Sequence, residues 1–214
     1  MNQSTSMRRI DYKTAVDFLL PRHYSGRIPS ISYAYGWYCE NELKAVCTFG
    51  KSASPKPCEG VCGKRWSKYV LELNRLCRVD DWHEPLSKFV SWCLRQLAKI
   101  NVIVISYSDT AMNHHGYIYQ ACNFIYTGIT KERTDKYSDG KHPRHYNKDE
   151  QSEYRRIRSS KHRYVYFCTN NKHLKKQWVK DFKWEIKPYP KGNNNEDYVL
   201  GYVLKDKVIK VEKS

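Results

Sequence analysis

Residues 69–109 decide the fold: "YVLELNRLCRVDDWHEPLSKFVSWCLRQLAKINVIVISYSD". At the start Val70, Glu72 and Asn74 alternate with Leu71 and Leu73, and Leu76 follows, which is the period of a strand. The period then changes. Leu86, Phe89, Val90, Cys93, Leu94 and Leu97 recur at helical spacing, with Ser87, Lys88, Ser91 and Arg95 off that stripe and Pro85 suited to the first turn. "NVIVISYSD" is a nearly unbroken apolar run, as in a strand covered on both faces. A strand, a crossover helix and a strand predict two parallel, adjacent strands.

Upstream, residues 31–50 read as a hairpin turning at "ENE". Residues 11–20 read as a short helix whose Val16, Leu19 and Leu20 share a face, stopped by Pro21. The segment "KSASPKPCEGVCGKRWSK", with its prolines and glycines, reads as a long loop. Downstream, "HHGYIYQACNF" predicts a short helix, "IYTGIT" and "YVYFC" strands, and the end of the chain one or two edge strands. Residues 131–163 are rich in Lys and Arg and nearly free of aliphatics, which predicts a surface excursion. The expected architecture is one α/β (α+β) domain over 1–214. It is a mixed sheet with helices on both faces, a basic insertion at 131–163 and a lysine- and aromatic-rich part at 164–214.

Charge points to the partner. Lys and Arg total 38 against 22 acids, a formal net charge of +16. Such a field favours a polyanion, most often nucleic acid. Lys64, Arg65 and Trp66 in "KRWSKY", Arg144, Arg155 and Arg156 in the insertion, and Lys175, Lys176 and Trp178 are the candidate DNA contacts. Cations would grip phosphates and aromatics would stack on bases. No apolar run has the length of a membrane helix and no secretory signal is visible, so a cytoplasmic protein is expected. The eight cysteines fall mostly in apolar runs, as reduced buried cysteines do. Only Cys58 and Cys62 lie close together, and no second ligand pair follows them.

"HYSGRIP", "FGKSAS", "ELNRL" and "SYSDTAMNHHGYIYQACNFIYTG" (residues 106–128) together resemble the Mom family of bacteriophage DNA-modification proteins, a divergent branch of the GNAT acyltransferase fold. The resemblance covers roughly residues 20–130. It implies a transferase that places a carbamoylmethyl group on the exocyclic N6 of adenine, shielding phage DNA from host restriction. It implies an essential arginine at Arg75, a serine at Ser87 (or Ser91), an acid at Asp109 and a tyrosine at Tyr119. An acyl-CoA donor such as acetyl-CoA would run along Leu73 and Arg75 and set its pyrophosphate at Ser87 and Lys88, although the usual glycine-rich phosphate loop is missing. A glycine-derived donor is the other option, because acyl transfer would give an amide.

The roles these residues can take follow from their chemistry. Asp109 can hold or deprotonate the amine, and Tyr119 can protonate a leaving group. Arg75 can fix a phosphate or carboxylate. The target base would be turned out of the duplex. Each residue also has a plain structural role: Arg75 paired with Glu72 or Glu84, Asp109 as a turn cap, Ser87 solvated, Tyr119 in the core. Iron is suspected in the family, so one of His114 and His115 with His23 and Asp109 forms a candidate metal set. Adjacent helical residues point about 100° apart, so the two histidines do not act as a pair. The rival readings are a conventional N-acetyltransferase and a DNA-binding protein without catalysis.

Overall fold

The predicted crossover unit is the centre of the sheet. In the computed structural model, which describes residues 4–138, 140, 146–147, 152–192 and 208–210, strand β4 (Val70–Arg78), helix α3 (Leu86–Leu97) and strand β5 (Val102–Asp109) follow one another, and β4 pairs with β5 in parallel. Strands β2 (Tyr33–Cys39) and β3 (Glu42–Gly50) form the hairpin. Its turn residues Glu40 and Asn41 both take positive φ, 50° and 69°, which matches the twist of the flanking strands. Strand β1 (Thr5–Arg9), not expected from the sequence, extends the sheet along β2.

Beyond β5 the order departs from the chain order. Strand β6 (Ile125–Ile129) does not lie beside β5. Strand β9 (Lys161–Cys168) is inserted between them, antiparallel to both, so the sheet runs β1-β2-β3-β4-β5-β9-β6.

The helices cover both faces, as expected. Helices α3 and α4 (Tyr117–Ala121) lie on one face, over Tyr35, Trp37, Leu73, Val104, Phe124 and Tyr164. On the other face α1 (Tyr12–Leu19) covers Ala34 and Val46. Beside it, α2 (Pro55–Cys62) and α5 (Lys172–Lys180) cover Val70, Ile103, Ile105 and Phe167.

Several expectations are corrected. Residues 51–68 are not a plain loop. Ser54 caps α2 and a proline opens it, and a short 3-10 helix follows at Lys64–Tyr69. In α1 the buried face is Ala15, Phe18 and Leu19, while Leu20 is the C-cap and exposed. The 131–163 stretch carries strands β7 (Arg133–Tyr137) and β8 (Tyr154–Arg158), which join β10 (Val208–Lys210) in a second sheet ordered β10-β8-β7. Its last three residues belong to β9, with His162 buried. Of the expected terminal strands only β10 falls among the described residues, and Arg144 lies outside them.

Candidate active site

The site begins where β4 and β5 part. Their parallel ladder ends at Leu73–Ser106. Beyond it β4 stays with β3 as far as Arg78 and β5 stays with β9 as far as Asp109, so a gap opens between two strand edges. A bulge in β4 accompanies the parting. Phe49 faces Leu73 and Thr48 faces Arg75, which leaves Asn74 as the extra residue. The bulge shifts the alternation, so Arg75 lies on the same face as Glu72. Asn74 accepts from Thr48 Oγ1 at 2.7 Å and donates to the Ser30 carbonyl at 2.7 Å. Gly50 allows that close approach, because a Cβ there would fall 1.8 Å from the Ser30 oxygen. The 21–32 loop is thereby laid against the mouth of the gap.

Three of its neighbours meet on the α1/α2 face. Arg75 donates to the carbonyls of Asn74 (2.6 Å) and Arg27 (3.1 Å), and its buried Nε finds no acceptor among the described residues. It is not the partner of Glu84, which pairs with Lys88 at 3.3 Å. His23 and Tyr24, from the loop, stack at 4.5 Å. Burial, with Arg75 and His114 adding, drives the His23 imidazole down to about 3, so it is neutral. Burial, with Asp109 adding and Arg75 opposing, pushes the Tyr24 phenol up to about 12.

Asp109 is 5% exposed and caps the turn after β5. It accepts from the Ala111 amide at 3.1 Å, from Ser159 Oγ at 2.5 Å and from Lys161 Nζ. Burial alone would raise its carboxyl, but the bonds from Lys161 and Ser159 outweigh it and hold the group below the ordinary carboxylate range. It is ionised and occupied.

Tyr119 approaches from the opposite face. Its ring packs on Phe124 (5.4 Å) and Tyr164 (5.3 Å). Burial pushes its phenol well above the usual value, against a hydrogen bond with Ser106. Ser106 in turn donates to the Leu73 carbonyl at 3.0 Å, so Tyr119 reaches the apex of the gap. Gly116, ahead of α4, has φ 77°, and a Cβ there would meet the Tyr164 ring at 2.4 Å. Its role is therefore a close approach of backbone to core.

Ser87 stays in the first turn of α3, where its carbonyl accepts from the Cys122 thiol at 3.3 Å, and Lys88 pairs with Glu84. Ser91 is turned away to the sulfur of Cys122, at 3.4 Å.

The residues do not fit the expected metal. Among the described residues no three His, Cys, Asp or Glu side chains gather where an ion could bind. His114 faces Tyr24, while His115 faces His162 at 5.8 Å, and Asp109 is taken by Lys161. The start of α3, the place expected for the pyrophosphate of an acyl-CoA, carries charges of both signs. It is preceded by Asp80, Asp81 and Glu84; Lys88 pairs with Glu84 at 3.3 Å, and Arg78 donates to the Glu84 carbonyl at 3.1 Å. Trp82 there is buried against Trp37, 4.3 Å between rings.

Two expected base-stacking aromatics are core residues instead. Trp178 is fully buried, and Trp66 is buried with its Nε1 donating to Asp181 at 2.6 Å. They pack the 3-10 helix onto α5, which is why aromatics alternate with lysines there. Lys64, Arg65, Lys175 and Lys176 are exposed. Arg155 and Arg156 are half-buried on β8, Arg156 over the Tyr137 ring at 4.6 Å.

Reasoning from sequence missed Glu72, Ser159 and Lys161 as site residues. Glu72 left a signal, a carboxylate in the middle of a mostly apolar strand. Ser159 and Lys161 left none, because they read as part of a charged surface.

A mixed sheet covered on both faces, with its two parallel strands parting beyond a bulge, defines the class: this is the GNAT acetyltransferase fold. An N-acetyltransferase from Staphylococcus aureus Mu50 shares it, at 12% identity and a TM-score of 0.50 over 78% of this chain and 99% of that one. The Escherichia coli ribosomal-protein-S18-alanine N-acetyltransferase aligns at 9% identity and a TM-score of 0.49, over 78% and 96% of the two chains. At 12% identity the likeness to the Staphylococcus aureus enzyme speaks to fold alone. Within that class the chain belongs to the Mom protein family, which it matches over residues 4–191. It matches no curated protein sequence.

Proposed function

We propose that the protein is a transferase that modifies the exocyclic N6 of adenine in DNA with a carbamoylmethyl-type group, in the host cytoplasm, protecting phage DNA from restriction. One observation supports this: beside the gap between β4 and β5, Arg75, Asp109 and Tyr119, three of the positions marked by the family resemblance, all lie in the field of Tyr24. Arg75 keeps a buried N–H for an incoming acceptor. Asp109, ionised and held by Lys161, gives the amine a fixed acceptor and counter-charge. Tyr119, protonated at every ordinary pH, is suited to donate to a leaving group. The adenine reaches the gap only when turned out of the stack.

The surface supports DNA as partner. On the β7-β8-β10 sheet Arg133, Lys136, Arg155, Arg156, Arg158 and Lys210 stand against Asp135 alone. In the chain β8 leads directly into β9, through Ser159 to Lys161, both of which bond Asp109. For the donor, acyl transfer from an acyl-CoA would not leave N6 joined through a CH2 carbon. A glycine-derived donor has the required atoms. A conventional N-acetyltransferase and a DNA-binding protein without catalysis are the alternative readings.

The test is nucleoside mass spectrometry on DNA from cells expressing the protein. A heavier deoxyadenosine is expected. Unchanged nucleosides beside soluble, folded protein would overturn the reading.

A further inference from the structure

We propose that Glu72, not Asp109, receives the proton that the acceptor amine loses. This rests on the function proposed above and names the base of that site. Glu72 pairs with Ile105, one step before the ladder ends at Leu73–Ser106. It therefore sits at the apex of the gap, on the face opposite the helix that brings Tyr119. The bulge sets Arg75 on its face, and Tyr107 is on that face from β5. A protonated phenol and a carboxylate thus flank the apex from its two sides.

Glu72 keeps partial exposure, whereas Asp109 is buried. Among the described residues it joins no ion pair, although Ser52 hydrogen-bonds it and Arg75 and Lys161 lie in its field. Asp109, by contrast, would lose Lys161 and Ser159 on taking a proton. Burial raises the Glu72 carboxyl above its ordinary value, Ser52 and Arg75 opposing. The two acids are thus driven apart, as acid–base assignments require. In the step, the amine nitrogen bonds to the donor carbon and one N–H proton passes to Glu72. The bond from that carbon to its leaving group breaks, and the leaving group keeps the electron pair and takes the Tyr119 proton.

The experiment incubates purified wild type and Glu72→Gln with plasmid DNA, using extract of the expressing host as donor source, and counts modified deoxyadenosine across pH. Glu72→Gln is expected to lose roughly 100- to 10,000-fold in rate while melting no lower than wild type. Wild type is expected to gain rate with rising pH through a limb above the ordinary carboxylate range, and the residual activity of the variant to lack that limb. A variant as fast as wild type, or one that is slow yet keeps the limb, would overturn the assignment. Should the variant fail to fold, a wild-type rate flat from about pH 4 to 8 would overturn it equally. Wild type yielding no modified nucleoside at all would instead sink the proposed function.

Discussion

Asp109 and Glu72 are carboxylates on one face of one sheet, and their surroundings give them opposite behaviour. The folded state lowers the Asp109 carboxyl, so its contribution to stability is present above the unfolded value and lost as pH falls through the folded one. Lys161→Met removes the partner of a buried charge. It should cost about 2 kcal/mol at neutral pH, a third-exposed lysine lowering the usual penalty, and the deficit should fade in acid. Urea unfolding at several pH values measures both. The folded state raises Glu72, so there stability is lost as pH rises through the folded value. Glu72→Gln should therefore match wild type in acid and exceed it at neutral pH, a gain in stability joined to a loss of turnover. Tyr119→Phe should lose the modified nucleoside and keep its melting temperature. Full activity in that variant would remove Tyr119 from the chemistry.

At the level of elements, the bulge at Asn74 is what turns a strand into a site. Asn74→Ala gives up the bonds to Thr48 and Ser30 and should cost about 1–3 kcal/mol, with faster proteolysis in the 21–32 loop. A loop cut no faster than in wild type would mean that Asn74 does not hold it.

The crossover unit was legible because its period changes cleanly from strand to helix and back. Helix α2 was hidden by its prolines and glycines, although Ser54 followed by Pro55 is a helix start. The bulge was half-visible: Leu73 and Leu76 sit on one face at a spacing no regular strand allows. The Asp109–Lys161 bond could not be read, because 52 positions separate the partners and nothing in the charged run distinguishes Lys161 from its neighbours.

For the whole molecule, the +16 charge and the aromatics have separate tasks. Trp178→Ala should cost about 3–5 kcal/mol and weaken DNA binding only by unfolding the protein. Lys175→Ala with Lys176→Ala should leave stability unchanged. If these lysines contact phosphates, the variant should flatten the fall of log affinity with log salt by about one or two. Fluorescence anisotropy across salt concentrations reads the slope. A slope equal to that of wild type would take the exposed face of α5 out of the DNA surface.

The place of β9 in the sheet has a consequence for how the chain is made. Its eight residues lie between β5 and β6, yet they leave the ribosome after both. Until then β5, with Ile103 and Ile105 on it, presents an unpaired apolar edge, and such an edge invites pairing with another chain. Folding must wait for a contact that spans the whole basic insertion, so the reaction is expected to be slow for a domain of this size. A chain ending near residue 130 should collect in the insoluble fraction. Adding back a peptide of residues 152–192 during refolding should recover soluble protein if this edge is the cause.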